Sequence, residues 1–494
     1  MFTEMGAFRL TSPRRLILGG AGFIVLILIF LTHPHHFLSE PGNNVWSRPA
    51  RQQASGREDP QIGAPLSFLA EYSLKVSEPS FCSERFGLPY LENLRDSATQ
   101  YCTTASKSDL TCFHSKTASD RVDTFCLGRH AGFDRASGKF LLQCELLDDL
   151  SLKSQFPIPR FDQFQRYWYE TGPKVIFTKW VGLNRHAPED ALGDAPSESH
   201  SFSILVKREM AHNLWHSLME IFSVAMSIDV LRIAPQPGDN QVNRSFLSEA
   251  ELANMQIVVL DDIEDGPFFE LWSLLSNKPP IRLKELSENT VHHNIVVPLA
   301  GGSNPFWQGD WSIHSCEDSA LLRTFSRRVL DFYSIPAFEV RQGPKIVLTF
   351  IDRTSTRRLV DSGTYLAELR SRYTHLIVQS HDFSTITLKE QLEIIRKTDI
   401  LVGVHGAGLT HSFFLPPRST MVEILPPKLN HKGFRNVASL MDLSYFSAHG
   451  DEGPTRKRGW QEEDVFIDKE RFMTLMDTAI KTMYNRGERN YDTV

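Results

Sequence analysis

The chain has 494 residues, with 53 lysines and arginines against 59 aspartates and glutamates, so its formal net charge is −6. Hydrophobic residues make up 41% and charged residues 23%, which is typical of a globular protein and excludes a disordered or fibrous one. The mild acidity argues against a nucleic-acid partner, because nucleic-acid-binding domains usually carry a clustered basic face.

An uncharged apolar run lies near the start of the chain, from Leu16 to Leu31, and follows Arg14 and Arg15. As a helix it would span about 24 Å, which is close to the hydrocarbon thickness of a thin membrane. A cleaved signal peptide and a buried helix are the alternatives, but no small-residue cleavage pattern follows and the next segment is polar. We predict an uncleaved anchor at residues 16–32, with residues 1–15 in the cytosol and the remainder in a lumen.

A stem rich in Pro, Gly, Gln and Ser is predicted at residues 33–66. Five of the six cysteines then lie between Cys82 and Cys144, and Cys316 stands alone. In an oxidising compartment this pattern predicts disulfides, and six cysteines allow fifteen pairings. Asn243 lies in the single N-x-S/T sequon and is a candidate glycosylation site.

Two later regions show hydrophobic periodicity, whereas the cysteine-bearing segment up to residue 154 shows none. The first region predicts a strand at 174–177, a helix at 211–229, strands at 256–260 and 294–298, and a helix at 321–332. The second predicts strands at 345–351, 375–379, 399–404 and 421–425, with helices at 359–373 and 388–397 and a short one after residue 404. This alternation indicates an α/β fold whose parallel sheet is covered on both faces.

Ligands of such sheets bind beyond the carboxyl ends of the strands. His405, Gly406, Ala407 and Gly408 directly follow the strand at 399–404. The two glycines let the backbone approach a ligand closely, and the helix that begins there points free N–H groups outward. The turn therefore predicts a diphosphate cradle, with a turn needed only for tight strand–helix packing as the alternative.

Charged side chains at two neighbouring strands favour the cradle. Arg353, Arg357 and Arg358 follow the strand at 345–351, and guanidinium groups bind phosphate bidentately. Glu423 lies inside an apolar strand, so its carboxylate must be paired, point into a site or lie on an outward edge. A ribose diol is a natural partner for such a carboxylate.

One predicted helix face carries His212, His216 and Glu220 at i, i+4 and i+8. Either His216 or Glu220 could take a proton from an acceptor hydroxyl, although a polar face of this kind is also often merely solvated. The chain has no D-x-D sequence, so we expect the charge of a diphosphate to be neutralised by arginine and backbone N–H groups rather than by a required divalent metal. Asp261 and Asp262, which follow a predicted strand, are the nearest substitute for such a motif and remain candidate metal ligands.

The run LVGVHGAGLTHSFFLPPRSTMVEILP, preceded by Glu390, Gln391 and the arginine segment, resembles glycosyltransferase family 61. Together with ASLMDLSYFSAHG, it is most similar to the branch of EGF-domain-specific O-GlcNAc transferases. The stretch from Asn213 to His216 resembles that branch's Asn-x-Tyr-His helix, and Asp261 falls where the branch also carries an aspartate. Trp215 and Glu220 depart from the tyrosine and aspartate of the branch.

The resemblance implies an inverting transferase of the GT-B type, with two Rossmann-like lobes facing a cleft and a UDP-sugar as donor. In that scheme Arg353 and Arg358, or Arg357 in place of Arg358, face the diphosphate beside the backbone of the glycine turn. Glu423 holds the ribose, and His216 or Glu220 acts as the general base. Asn213 and Asp261 lie on the acceptor side.

The expected organisation is an acceptor-side lobe with the cysteine segment at residues 67–330 and a nucleotide-sugar lobe with a final helix at residues 331–494. We expect transfer of a sugar, GlcNAc first among the candidates, to a hydroxyl of a glycoprotein or glycan, with protein serine and threonine first among the acceptors. The expected location is the Golgi or endoplasmic reticulum of the secretory pathway, and the expected topology is that of a single-pass type II membrane protein. A xylosyl- or pentosyltransferase acting on a glycan is one alternative. A non-catalytic glycan-binding protein on the same fold is another.

Overall fold

The computed structural model describes residues 71–72, 79–118, 120–148, 150, 157–184, 202–236, 244–286, 293–337, 345–452 and 459–485. These residues all belong to the compact unit Pro60–Val494. The predicted anchor, the whole of the predicted stem and the candidate glycosylation site Asn243 lie outside the described residues.

The α-helices of the described residues, numbered in chain order, have the following bounds: α1 Ser80–Phe86, α2 Leu88–Asp96, α3 Pro173–Lys179, α4 Leu214–Ile233, α5 Glu249–Asn254, α6 Ala320–Phe332, α7 Ser362–Arg372, α8 Leu388–Arg396, α9 Gly433–Leu440 and α10 Lys469–Asn485. Short 3₁₀ helices include Trp168–Glu170, Gly301–Ser303 and Ala407–Phe414.

The strands of the described residues are β1 Thr99–Gln100, β2 Asp109–Ser115, β3 Asp123–Asp134, β4 Lys139–Leu142, β5 Val181–Leu183, β6 Phe202–Val206, β7 Gln256–Val259, β8 Ile281–Arg282, β9 His293–Val297, β10 Ile346–Ile351, β11 Leu376–His381, β12 Ile400–Val404, β13 Thr420–Leu425 and β14 Ser444–His449. They form two sheets, one mixed and one entirely parallel.

The mixed sheet has the order β1-β2-β3-β9-β6-β7-β8, with β4 and β5 attached beside β3. Strands β9, β6, β7 and β8 run parallel to one another, whereas β1, β2, β3 and β9 are joined in antiparallel pairs. Helix α4 packs against this sheet and is buried along almost its whole length. Although α4 is the one helix of the described residues that is long and apolar enough to cross a membrane, it lies inside the protein.

The parallel sheet has the order β11-β10-β12-β13-β14. Helices α7 and α10 pack on one of its faces, and α8, α9 and the 3₁₀ helix Ala407–Phe414 contribute to the large core that also includes α4 and α6. The α/β prediction with a parallel sheet is therefore confirmed. Every strand predicted between residues 345 and 425 is present within one or two residues of its predicted bounds.

The strand predicted at residues 174–177 is wrong, because these residues lie in helix α3. Pro173 occupies the first turn of that helix, where its missing N–H costs no hydrogen bond. The buried residues of α3 form a short apolar run, and such a run does not by itself distinguish a strand from a buried helix.

The cysteine-bearing segment is more regular than its sequence indicates, since it contains β2, β3 and β4. Six of the seven residues of β2 are buried, so the strand has no alternation of polar and apolar residues that could have predicted it. Three disulfides close this region: Cys82–Cys316, Cys102–Cys144 and Cys112–Cys126. The prediction of disulfides is confirmed, and the pairing that the sequence left open is now assigned.

Candidate functional site

A cleft with a volume of about 460 Å³ lies at the carboxyl ends of the parallel strands, and residues from both sheet regions line it. The lining residues are Tyr169, Met210, Asn213, Trp215, His216, Trp307, Asp310, Arg357, His405, Gly406, Ala407, His431, Phe434, Trp460 and Gln461. Six of the sequence-predicted site residues are therefore brought together here: Asn213, His216, Arg357, His405, Gly406 and Ala407.

The glycine turn after β12 is packed against two arginines. Gly406 has a backbone φ of +153°, which residues with a side chain rarely adopt. A Cβ at this position would lie 2.9 Å from Nη1 of Arg357 and 3.1 Å from Nη1 of Arg353. Glycine is required here because the guanidinium groups occupy the space that a side chain would need.

The two arginines concentrate positive charge at the turn. Arg357 lines the cleft and donates a hydrogen bond of 2.9 Å from Nη1 to the carbonyl oxygen of His405, and Arg353 donates from Nε to the carbonyl oxygen of Thr356. Burial, and then repulsion by Arg353, lowers the pKa of Arg357 to about 10. Both guanidiniums remain charged at neutral pH, without a carboxylate paired to Arg357 among the described residues, so the turn is suited to an anion.

Arg358, also predicted to face a diphosphate, lies apart from this site. Its guanidinium is more than half exposed and forms an ion pair with Asp464, with a distance of 2.6 Å from Nη2 to Oδ2. Gly408 lies behind the cleft, where a Cβ would come within 3.0 Å of Ile351. The structure thus assigns the cationic side of the cleft to Arg357, with Arg353 behind it.

Glu423 is fully buried, and both of its oxygens are occupied. Nδ1 of His405 lies 2.5 Å from Oε1, and the hydroxyl of Tyr445 donates to Oε2 at 2.5 Å. The paired alternative for Glu423 is therefore the one observed, rather than a carboxylate free to bind a ribose diol. Because Nδ1 of His405 donates to Glu423, its Nε2, which has no hydrogen-bond partner among the described residues, is left as an acceptor.

Burial lowers the pKa of His405, whereas its hydrogen bond to Glu423 acts in the opposite direction. The imidazole is enclosed by the rings of His431, Phe434 and Trp460, with centroids 4.8 to 5.5 Å away. His405 is thus a neutral, fixed ring at the base of the cleft.

His216 reaches the cleft from the first turn of α4. Its Nδ1 lies 3.5 Å from Oε1 of Glu209, a buried carboxylate that the sequence analysis did not single out. The imidazole packs edge to face against Trp307 at 4.6 Å and Tyr169 at 5.5 Å between ring centroids. A histidine with a carboxylate behind it and an open cleft in front can accept a proton from a bound hydroxyl group.

Glu220, the other candidate base, does not line the cleft. It lies one turn deeper on α4 and is only 5% exposed. Burial raises the pKa of Glu220 well above its usual range, and the carboxylates of Glu209 and Asp261 add to the shift. A carboxyl group that is protonated and enclosed in this way is not placed to deprotonate a substrate.

Asn213 and Asp261 have local structural partners. The side chain of Asn213 caps α4 by accepting hydrogen bonds from the backbone N–H groups of Trp215 and His216, at 3.0 and 3.4 Å. Asp261 holds the buried guanidinium of Arg208, with 2.9 Å between Nη2 and Oδ1. Asn213 still contacts the cleft, whereas Asp261 does not.

A third histidine–carboxylate pair in the cleft was missed by the sequence analysis. Nε2 of His431 lies 3.0 Å from Oδ2 of Asp310, and the ring of Trp311 packs edge to face on His431. Trp460 was also missed; the guanidinium of Arg357 lies 5.7 Å from the centre of its ring. These residues lie in loops without hydrophobic periodicity, and only their residue types, His, Asp and Trp, could have drawn attention to them.

No group of three or more His, Cys, Asp or Glu side chains among the described residues is arranged to hold a metal ion. Asp261 is engaged by Arg208, and Asp262 is exposed beside it. The donor set that was kept open as a metal site therefore does not converge in the part of the chain that the structure describes.

Residues 214–422 match the family model described as Glycosyltransferase 61. The chain is 28% identical over 287 residues to the EGF domain-specific O-linked N-acetylglucosamine transferase of Drosophila melanogaster, covering 56% of this chain and 48% of the relative. It is 25% identical over 252 residues to the protein of the same name from Bos taurus, covering 50% and 44%. It is also 26% identical over 215 residues to the protein O-linked-mannose beta-1,4-N-acetylglucosaminyltransferase 2 of Tetraodon nigroviridis, covering 40% and 36%.

The chain spans about half the length, or less, of these curated relatives. The matched region contains the glycine turn, its two arginines and the helix that carries His216. The resemblance stated from the motifs is confirmed to this extent: residues 214–422 match the glycosyltransferase 61 family model.

Proposed function

We propose that this protein is an inverting glycosyltransferase of the GT-B type that transfers a sugar, GlcNAc first among the candidates, from a UDP-sugar to a hydroxyl group of a glycoprotein. The proposal rests on one observation above all: a single cleft holds the glycine turn at Gly406 with Arg357 beside it and, from the other sheet region, His216 with a carboxylate behind it. Such an arrangement supplies both the leaving-group site and the general base that one direct displacement requires.

On the donor side, Arg357 and the N–H groups of the turn bind the diphosphate, and Arg353 adds positive charge behind them. As the bond between the sugar and the diphosphate breaks, negative charge develops on the departing oxygen. Fixed cationic and N–H groups stabilise that charge without a metal ion as a required cofactor. The parallel sheet is the nucleotide lobe in this scheme, and the mixed sheet is the acceptor lobe.

On the acceptor side, His216 takes the proton of the attacking hydroxyl while its oxygen forms a bond to the anomeric carbon of the sugar. One displacement inverts the anomeric centre and needs no protein nucleophile. Glu209 stabilises the imidazolium that forms, because its carboxylate faces the opposite ring nitrogen. Glu220 takes no part in proton transfer in this scheme.

The relatives are named as an EGF domain-specific O-linked N-acetylglucosamine transferase and a protein O-linked-mannose beta-1,4-N-acetylglucosaminyltransferase, and these names support GlcNAc as the sugar and a glycoprotein as the acceptor. Three disulfides are typical of a protein that folds in the secretory pathway, which agrees with a luminal catalytic part. The single-pass membrane anchor and a Golgi or endoplasmic reticulum location remain part of the proposal.

The test is an assay of UDP release by the purified chain with a panel of UDP-sugars and protein acceptors, with and without EDTA. We expect transfer from UDP-GlcNAc that survives EDTA. Activity lost with EDTA would contradict the metal-independent mechanism. If the chain hydrolysed none of the donors and did not bind UDP in calorimetry, that result would contradict the enzymatic function itself.

Two variants with a matched control locate the site. Arg357→Ala should weaken UDP binding about 10- to 100-fold, since a charge-assisted hydrogen bond contributes about 1.5–3 kcal/mol. Arg358→Ala, its neighbour paired with Asp464, should bind UDP as the wild type does. His216→Ala should bind UDP normally and lose transfer, and full transfer by this variant would contradict its role as base.

A further inference from the structure

Asp310 is the one carboxylate among the described side chains that line the cleft. Its side chain is 11% exposed, and Oδ2 lies 3.0 Å from Nε2 of His431. Oδ1 accepts no hydrogen bond from the described residues. Because an ionised carboxylate only accepts hydrogen bonds, this oxygen is available to a donor group on a molecule in the cleft.

The partner of Asp310 is itself fixed. Nδ1 of His431 accepts a hydrogen bond of 3.2 Å from the backbone N–H of Gly433, so the ring proton resides on Nε2 and is donated to Asp310. The ring of Trp311 covers His431. This pair therefore holds the carboxylate in one orientation.

The loop that carries Asp310 is tied to the rest of the protein on both sides. The carbonyl oxygen of Asp310 accepts a hydrogen bond of 2.7 Å from the N–H of Lys432, and Asn436 donates to the carbonyl oxygen of Ser312 at 2.8 Å. The loop then ends at Cys316, which is bonded to Cys82. A group held so firmly is pre-organised for binding and loses little freedom when a ligand arrives.

We propose that Asp310 accepts a hydrogen bond from a hydroxyl group of the sugar being transferred and so determines which donors are used. This inference rests on the proposed function. Charge decides which part of the donor lies at Asp310: its carboxylate repels a diphosphate, which the Arg357 side of the same cleft attracts. The neutral, hydroxyl-rich sugar is the part of a UDP-sugar that a carboxylate binds.

The experiment compares UDP-GlcNAc with its three monodeoxy analogues, each lacking one ring or exocyclic hydroxyl group, in the wild type and in Asp310→Ala and Asp310→Asn. In the wild type, kcat/KM should fall about 10- to 100-fold for one analogue, because the hydroxyl group that this analogue lacks is the one that would pair with the charged carboxylate of Asp310. In Asp310→Ala that analogue and UDP-GlcNAc should be used about equally. UDP binding, measured by calorimetry, should be unchanged in both variants and so reports that they fold.

Asp318→Asn is the matched control. Asp318 is similarly buried, with a side chain that is 15% exposed and paired with Arg323, but it does not line the cleft. This variant should keep the discrimination of the wild type among the four donors.

Two results would overturn the proposal while the wild type is active. One is discrimination among the analogues that is the same in Asp310→Ala as in the wild type. The other is a loss of kcat by Asp310→Asn that is equal for all four donors, which would assign proton transfer rather than sugar binding to Asp310. An inactive wild-type chain would overturn the proposed function first, and this inference with it.

Discussion

Three histidines of the cleft each face a carboxylate, and in each case a different chain segment supplies the partner. The pairs are His216 with Glu209, His405 with Glu423, and His431 with Asp310. A carboxylate behind an imidazole sets which ring nitrogen carries the proton. The orientation of each imidazole in the cleft therefore depends on a carboxylate from another part of the chain.

Glu220 gives a prediction about pH at the scale of a single residue. Burial raises its pKa above the ordinary 4.5, so the folded state keeps a proton that the unfolded state releases. The free energy of unfolding must then fall as the pH rises above about 4.5, by up to about 1.4 kcal/mol per pH unit until the folded pKa is reached. Glu220→Gln has no proton to release and should be more stable than the wild type at about pH 8.

Urea denaturation of both proteins at about pH 5 and pH 8 measures this difference. Glu249→Gln is the control, because Glu249 lies in a surface ion pair with 76% of its side chain exposed and should leave the pH trend unchanged. If Glu220→Gln followed the same pH trend as the wild type, Glu220 would not be the buried, protonated group described above.

The sequence predicted the glycine turn and its arginines because these signals are local: two glycines after a strand, and a basic run after its neighbour. It could not predict the partners of Glu423. Parallel pairing places Glu423 beside Gly403 on one strand and Ser447 on the other, which brings His405 and Tyr445 to its two oxygens. Such contacts depend on the register between strands about twenty residues apart in the sequence, and the sequence alone does not predict that register.

At the scale of elements, helix α4 is the component that connects the core to the cleft. It is buried around almost its whole circumference, as a helix enclosed in a large core is. Its first turn alone reaches the cleft, and there the cap residue Asn213 and the proposed base His216 lie three residues apart. The position of His216 therefore depends on the stability of the first turn of α4.

Asn213→Ala should therefore affect both stability and rate. Loss of the cap is expected to lower the free energy of unfolding by about 1 kcal/mol and to reduce kcat by loosening the first turn. Asn213→Ser, which can cap in the same way, should recover most of both quantities. Thermal denaturation and the transfer assay measure them side by side, and an alanine variant with unchanged stability would contradict the capping role.

Two elements that the sequence did not predict correctly, β2 and α3, each contain a run of consecutive buried residues. Strand β2 lies within the mixed sheet, and α3 buries three consecutive apolar residues. Periodicity reports a boundary between core and solvent, so it carries no signal where an element has no solvent face. In the parallel sheet the alternating helices, each with one exposed face, supplied the missing signal.

At the scale of the whole molecule, the three disulfides differ in how much chain they enclose. Cys82 and Cys316 are 234 residues apart, whereas Cys112 and Cys126 are 14 apart. In the chain-entropy account, the ratio of these separations corresponds to about 2.5 kcal/mol of additional stabilisation for the longer loop. Replacing both cysteines of the long-range pair by serine should therefore destabilise the protein more than replacing both of the short-range pair.

Chemical denaturation of the two double-serine variants tests this order directly. The long-range variant should also lose donor discrimination, because Cys316 ends the loop that carries Asp310. A short-range variant that is the less stable of the two would contradict the chain-entropy account for this protein.

The Cys82–Cys316 bond can form only late in synthesis of the chain, after Cys316 has been added. At about 5–20 residues per second, synthesis of the intervening 234 residues takes roughly 10 to 50 s. Throughout that interval the Cys82 thiol is present without its partner, while four other cysteines emerge first. A disulfide that Cys82 forms with one of these four in that interval has to be exchanged before Cys82 can pair with Cys316, so the rate of thiol–disulfide exchange sets how fast such chains mature.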